Sequence, residues 1–488
     1  KLMKIQCRIE ENKAVDRVEA LTDKAICLLY KEALELTVPV QAEISLKNLY
    51  LSIDELNIVL EYRFYNSEKN IGSLEEILEY LDNPRFSLAA KSMLYPKAVV
   101  YMYRLMVKNG IESGIIDGTN KETGNKMYKY CEKALSILQE KAVRYYYTEI
   151  LEIRKTLLVA GYGDGDRENM LIHTDEWLAA IHSLCNKHGV WEYTTNNCYF
   201  YKENSVYNIG TVVNIRRKML GMTMKDLYEG ICSEKTLRNL EHNRAGTHRD
   251  IAEELLGRLG LPAGYHRMGI ITDKRETIEL YTQWKRLSRE FKFAECREIM
   301  NELEKQLSSN IVNRQFVEWG KNIVAYELKE LDYITYIEKM SDCLGITIRI
   351  EDILSSENIY LSYIENEILY QISAKYKYNG DESSAFKYIE PIYRKLKEYT
   401  DIEIQENIKD YEFYMTFAAS ILGSLGKYVE SNIISNKIIR AQLQYGRIAG
   451  INCNLSSMAW NQNKVDENKK VYNEQLYQCI LWSQMSND

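Results

Sequence analysis

The sequence predicts an all-α protein built largely of stacked helical hairpins, and three observations carry that prediction. Only 5 prolines and 24 glycines punctuate the 488 residues, too few breakers for a strand-rich sandwich with its frequent turns. Apolar residues recur at three- and four-residue spacing through most long segments, the period of one helix face. The C-terminal half also repeats itself. Turn-plus-helix openings marked by Phe293, Tyr333, Glu382, Tyr428 and Asp466 follow one another at steps of 38 to 49 residues. Periods of this size belong to solenoids, in which each hairpin buries its apolar face only by stacking on its neighbours.

A chain this long exceeds a single core and predicts about three domains. With 45% hydrophobic and 27% charged residues it reads as globular. The net charge of −7 argues against a protein that coats nucleic acid along its whole surface. Charge is unevenly placed, however. Residues 209–261 hold nine Lys/Arg and seven Asp/Glu, a balance of +2, which leaves −9 on the rest. The 10 cysteines form no CxxC pair. Cys27, Cys131, Cys296 and Cys343 fall on apolar helix faces, as small core residues in a reducing compartment do. No signal peptide, lipidation box or bilayer-length apolar run is visible, which predicts a cytoplasmic protein with no membrane partner.

From the N-terminus, segments 15–30, 73–81, 126–140 and 143–158 show helical periodicity, with loops at 68–72, 109–124 and 161–169. Residues 1–195 are therefore expected to be helical, a diverged second array of hairpins. Segment 196–208 is polar, aromatic and aperiodic, and is expected to be a linker. His173, His182, Cys185, His188 and Cys198 lie close together. Trp177, Leu178, Ile181 and Leu184 place Cys185 in an apolar stripe, and no ligand pair has a standard zinc spacing, so packing is favoured over a metal. The glycine-containing stretches 118–126 and 161–166 lack the spacing of phosphate or calcium loops. The six histidines yield no nucleophile–base–orienter set, so no enzyme and no cofactor are expected.

Segment 209–263 divides into four short helices. The first runs from Ile209 to Leu220 and stops at Gly221; the second is capped by Thr223 and ends at Gly230. Ser233 caps the third, which reaches His242. The fourth starts near Thr247, places Ile251, Leu255 and Leu259 on one face, and stops at Gly260 before Pro262. The third helix has Thr236, Leu237 and Leu240 on one side. Its other side carries long polar side chains, which suits entry into a DNA major groove.

These residues resemble Xre-type, lambda-repressor-like helix-turn-helix regulators, particularly the Rgg/PlcR-like regulators of low-GC Gram-positive bacteria. The resemblance runs through Ile209, Gly210, Ile215 to Arg217, Gly221 to Thr223, Leu227 to Ser233, Thr236, Leu237, Leu240 and Glu241, about a ninth of the chain. It implies that Arg217 and Glu241 form a structural bridge. It also implies that Glu234, Lys235, Arg238 and Asn239 face the bases, and that Arg216, Lys225, His242, Asn243 and Arg244 reach phosphates. By groove chemistry Lys235 and Arg238 suit guanine, Asn239 adenine and Glu234 cytosine. Met224 departs from the family, where glutamine usually opens the second helix.

Residues 264–488 complete the expected organisation as a solenoid. The segment Ala419 to Ser431 resembles the tetratricopeptide pattern, with small residues at a helix crossing and a Gly-x-Tyr turn. In the resembling regulators such an array dimerises and holds a short signalling peptide, which would fall on Asn322, Tyr326, Tyr363, Asn366 and Tyr370. The leading expectation is a homodimeric transcriptional regulator with a DNA operator and a peptide as partners. The alternative is a protein–protein scaffold whose central helix-turn-helix is structural only. For the residues before Ile209 two arrangements stay open: a further module lies before Lys1 and the central one is a second copy, or the N-terminal block is a dedicated partner domain.

Overall fold

The computed structural model describes residues 23–37, 46, 51–66, 71–84, 86–163, 165–194, 209–242, 244–261, 269–272, 274–466 and 468–486. Among them the secondary structure is helical, apart from an isolated antiparallel bridge between Val143 and Arg447. The chain opens with α1 (Asp23–Thr37), α2 (Ile53–Tyr65), α3 (Ile71–Leu81), α4 (Leu88–Lys108), α5 (Ile111–Ile116), α6 (Lys121–Lys141), α7 (Tyr147–Val159) and α8 (Arg167–His188). The expected linker, 196–208, lies outside the described residues. Four short helices follow: α9 (Ile209–Met219), α10 (Met224–Tyr228), α11 (Glu234–Glu241) and α12 (Arg249–Arg258).

The remaining helices are longer and come in hairpins. They are α13 (Arg275–Arg289), α14 (Phe293–Gln306), α15 (Ile311–Glu327), α16 (Tyr333–Gly345), the short α17 (Ile350–Ser355), α18 (Tyr363–Tyr378) and α19 (Glu382–Lys397). After them come the short α20 (Asp401–Glu406), then α21 (Ile408–Ser424), α22 (Tyr428–Gln444), α23 (Ile451–Val465) and α24 (Lys469–Ser486). Phe293, Tyr333, Glu382 and Tyr428 each open a helix, and Asp466 stands in the turn before α24. The repeat markers were legible because each combines a turn with a helix start.

The chain forms two compact units, Lys202–Ile434 and Lys1–Tyr201 with Ser435–Asp488. In the first, successive helices from α13 to α16 pack on one another, α16 packs on α18, α18 on α19 and α19 on α21. Trp284, Phe316 and Trp319 fill the first hairpins with ring centroids 5.4 to 6.0 Å apart. Ser373 Oγ donates to the Ala385 carbonyl at 2.6 Å, and Ser431 Oγ to the Ala419 carbonyl at 2.8 Å. A small hydroxyl thus ties the two helices of successive hairpins at the same place, where a larger side chain would push them apart.

The second unit differs from the division expected at 264. The end of the chain is packed with the N-terminal block, α24 lying against α6 and α8. Hydrogen bonds show why. Buried Arg144 donates to the carbonyls of Glu192, Trp191 and Leu443 at 2.6, 3.1 and 2.6 Å. Tyr147 Oη donates to the Met485 carbonyl at 3.1 Å, and Trp482 is fully buried. A helical period tells that a face must be covered, not which helix covers it. In this unit Cys185 is a buried core residue and burial raises its thiol, while His173 and His182 face Glu176 and Glu192. No group of metal-binding side chains occurs among the described residues, and Cys198 lies outside them.

Candidate nucleic-acid interface

Helices α9 to α12 enclose a small core of Val212, Val213, Leu227, Leu237, Leu240, Leu255 and Leu259. Local chemistry sets each helix end. Gly221 takes a left-handed φ of 63°, which turns the chain sharply after α9 where a side chain would strain it. Thr223 and Asp226 form a capping box on α10, at 2.8 Å and 3.2 Å between side chain and opposing backbone N–H. Ser233 Oγ accepts the Thr236 N–H at 3.1 Å and starts α11. Arg258 was not anticipated. Its Nη1 donates to the carbonyls of Asp226, Leu227 and Glu229 at 3.3, 3.0 and 2.6 Å, closing the C-terminal end of α10.

Arg217 on α9 meets Glu241 at the end of α11 through two parallel bonds, Nε–Oε1 at 2.7 Å and Nη2–Oε2 at 2.9 Å. A third bond joins Nη1 to the Met222 carbonyl at 3.0 Å. The fork geometry fixes α11 relative to α9 in both position and rotation. Hydrogen bonding to Glu241 raises the guanidinium above its ordinary range.

With Leu237 and Leu240 buried, α11 turns its other face to solvent. Glu234, Lys235 and Arg238 are exposed and Asn239 is half-buried. Arg238 reaches back one turn to pair with Glu234. Of the phosphate candidates, Lys225 is exposed and lies 3.8 Å from Glu229. His242 is exposed with Nδ1 2.7 Å from the Arg238 carbonyl, and Arg244 is exposed beside it. Asn243 lies outside the described residues. Met224 packs at the edge of the module's core, which accounts for an apolar residue there.

Arg216 must be removed from the phosphate set. It is 0% exposed, and its guanidinium donates to the carbonyls of Leu259 and Tyr360 at 3.1 and 3.2 Å. It also makes two bonds to Glu365 on α18, Nη1–Oε2 being 3.1 Å. Glu365 in turn accepts the Ser362 N–H at 2.7 Å and the Thr347 hydroxyl at 2.5 Å. The first helix of the module, α9, is therefore moored to the solenoid by a desolvated ion pair. Tyr360 enters the same module's core, and Met219 Sδ accepts the Tyr360 N–H at 3.2 Å. Gly260, at a φ of 69°, lets the end of the module approach Thr347 so closely that a Cβ would lie 3.2 Å from it.

The expected peptide-groove residues separate into two sets. Tyr363, Asn366 and Tyr370 share one half-buried face of α18 together with Glu367, which the sequence pattern did not single out. Tyr370 packs on Phe413 and Phe417 of α21 at 4.7 and 4.8 Å. Glu367 Oε1 accepts the Tyr414 hydroxyl at 3.0 Å, and burial pushes its carboxyl up to about 7. Asn322 is corrected to a packing residue. It is buried and its amide donates to the Lys339 carbonyl of α16 at 3.3 Å, so that donor is held inside the hairpin. Tyr326 packs at a tilt against Tyr336, ring centroids 4.5 Å apart, beneath the Lys375 ammonium, 3.9 Å from the Tyr326 ring.

No family model matches the chain, and no curated protein matches it. Among the solved structures that resemble it faintly are the following two. One is PlcR of Bacillus thuringiensis in complex with the peptide PapR7 and DNA. It has a TM-score of 0.37 and 19% identity over 58% of this chain and 96% of that one. The other is the SHP pheromone receptor Rgg2 of Streptococcus dysgalactiae. Its TM-score is 0.30 and its identity 10%, over 57% of this chain and 92% of that one.

Proposed function

We propose that the chain is a DNA-binding transcriptional regulator that reads an operator with α11. The carrying observation is the division of that helix. One face is locked into a core and clamped by Arg217 and Glu241; the other offers Glu234, Lys235, Arg238 and Asn239 to solvent. A short helix held by its own module with long donors at its N-terminal half suits base-edge contacts in a major groove. Lys225, His242 and Arg244 would contact phosphates on either side.

Fluorescence anisotropy of the full chain on duplexes from upstream of its own gene, between 50 and 200 mM salt, tests the reading. Binding that weakens with salt and is lost in Lys235→Ala with Arg238→Ala is the expected result. Equal binding by parent and variant would favour the scaffold reading instead, in which the module only organises partners.

The finer part of the proposal is that the solenoid senses a short peptide. The half-buried face of Tyr363, Asn366, Glu367 and Tyr370 supports it, since an amide beside aromatic rings can hold an extended backbone. Thermal-shift screening of a defined heptapeptide library should find stabilising sequences whose effect disappears in Asn366→Ala. A library with no stabilising member at millimolar concentration would end that part of the reading.

A further inference from the structure

Two parts of the chain share a signature that helical periodicity conceals. Asn48, Tyr50, Leu51, Ser52, Glu55 and Ile58 match Asn358, Tyr360, Leu361, Ser362, Glu365 and Ile368 at a constant offset of 310 residues. Ser52 and Ser362 open α2 and α18 with the same capping box, their N–H groups reaching Glu55 and Glu365 at 2.8 and 2.7 Å.

Further along, the backbone repeats itself at an offset of 304. Ala142 and Gly446 both take left-handed φ angles, 53° and 72°, and Tyr146 and Gly450 do so again at 58° and 73°. Non-glycine residues rarely adopt such angles. Each second one precedes a helix, α7 at Tyr147 and α23 at Ile451. Val143 N–H donates to the Leu138 carbonyl as Arg447 N–H does to Gln442, at 3.1 and 2.8 Å. Tyr147 N–H reaches Arg144 as Ile451 N–H reaches Ile448, at 3.1 and 3.3 Å. Burial follows suit: Met127, Cys131, Leu135 and Leu138 on α6 are buried, and so are Ser431, Ser435, Ile439 and Gln442 on α22.

The two repeats also bond to each other. Arg144 N–H donates to the Gly446 carbonyl at 2.7 Å, and Ile448 N–H to the Ala142 carbonyl at 3.1 Å. Moving each residue to its counterpart 304 places away turns one bond into the other, with Val143 and Arg447 facing each other at the centre. Residue i contacting j while j's counterpart contacts i's is the mark of an isologous, two-fold interface. Here it joins two segments of one chain.

We propose that the chain carries an internal duplication, and that the pairing surface of its C-terminal hairpin is filled by the N-terminal copy of the same chain. The partner that this surface fits is thus already present, and no second chain is required to cover it. The C-terminal helix is correspondingly buried against the first copy, through Tyr147 to Met485 and through Trp177 to Gln484 at 3.2 Å.

The test is a crosslink whose path reports which copies pair. In an antiparallel pair of this kind the α-carbons lie roughly 4.5 Å apart, within the range a disulfide spans. The full chain with Val143→Cys and Arg447→Cys is oxidised mildly and mapped by mass spectrometry beside the parent. A disulfide within one chain, at single-chain mobility on a non-reducing gel, is expected. A link between chains, or none, overturns the proposal. Because Val143 is buried, Glu176→Cys with Tyr477→Cys joined by a short bismaleimide serves as a second pair, judged by the same criterion. Neither readout involves DNA, so failure here and failure of the regulator reading are separate results.

Discussion

The helix-turn-helix module has two charged faces, and opposite physical rules govern them. On the mooring face Arg216 and Glu365 are both 0% exposed, and each makes further hydrogen bonds beyond the ion pair. On the exposed face of α11 Glu234, Lys235 and Arg238 stand in water, where an ion pair contributes little to stability. Burial, not charge, thus separates residues that hold the module from residues free to meet a partner. Arg216 and Arg217 make the point as neighbours on α9: one reaches outward to the solenoid and the other inward to α11.

The largest effect should come from breaking the mooring. Arg216→Ala leaves Glu365 buried without its cation and should lower unfolding free energy by about 3–5 kcal/mol in urea titration. Adding Glu365→Gln should recover part of that loss; no recovery would mean that the pair is not the cause. On the exposed face of α11 Lys235→Ala with Arg238→Ala should leave stability within about 0.5 kcal/mol. The same change should weaken operator binding by about 1–3 kcal/mol for each base edge that is no longer read.

A third measurement sets a half-buried carboxylate bonded to a tyrosine hydroxyl against a fully buried one bonded to a guanidinium. Glu367 sits two residues beyond Glu365, and its bond comes from Tyr414. Burial, opposed by that bond, raises its carboxyl from 4.5 to about 7, so the folded chain holds its proton more tightly than the unfolded chain. This contribution is full below pH 4.5 and declines as pH rises to 7. The decline should be on the order of 1–2 kcal/mol after screening by solvent. Glu367→Gln should flatten stability between pH 5 and 8, and an unchanged slope would contradict the assignment. The smallest effect is expected from Glu234→Gln, which releases Arg238 and removes a charge that phosphates repel. Roughly two- to fivefold tighter DNA binding at low salt should follow.

Local chemistry made part of this architecture legible in advance. The helices of the module were expected from Ile209, Thr223 and Ser233, and they begin at Ile209, Met224 and Glu234, because caps and glycine stops act within a few residues. The fate of Arg216 was hidden because its partner lies 149 residues away, and nothing near it distinguishes it from Arg217. The placement of 435–488 was hidden for a related reason. Arg144 and Tyr147 bond to backbone carbonyls, and a carbonyl leaves no trace in the identity of its residue. On α22 the equivalents of Met127 and Cys131 are Ser431 and Ser435, buried yet polar, so an apolar stripe does not announce that face.

The mooring has a mechanical meaning as well as an energetic one. Gln315 on α15 donates to the Thr347 hydroxyl at 2.7 Å, Thr347 to Glu365, and Glu365 receives Arg216. All four side chains are buried, so none of them can exchange its partner for water without a large penalty. They behave as a rigid strut running from the second hairpin to the first helix of the module. The direction in which α11 points is therefore set by the hairpins, as a bracket bolted at both ends fixes the angle of the arm it carries.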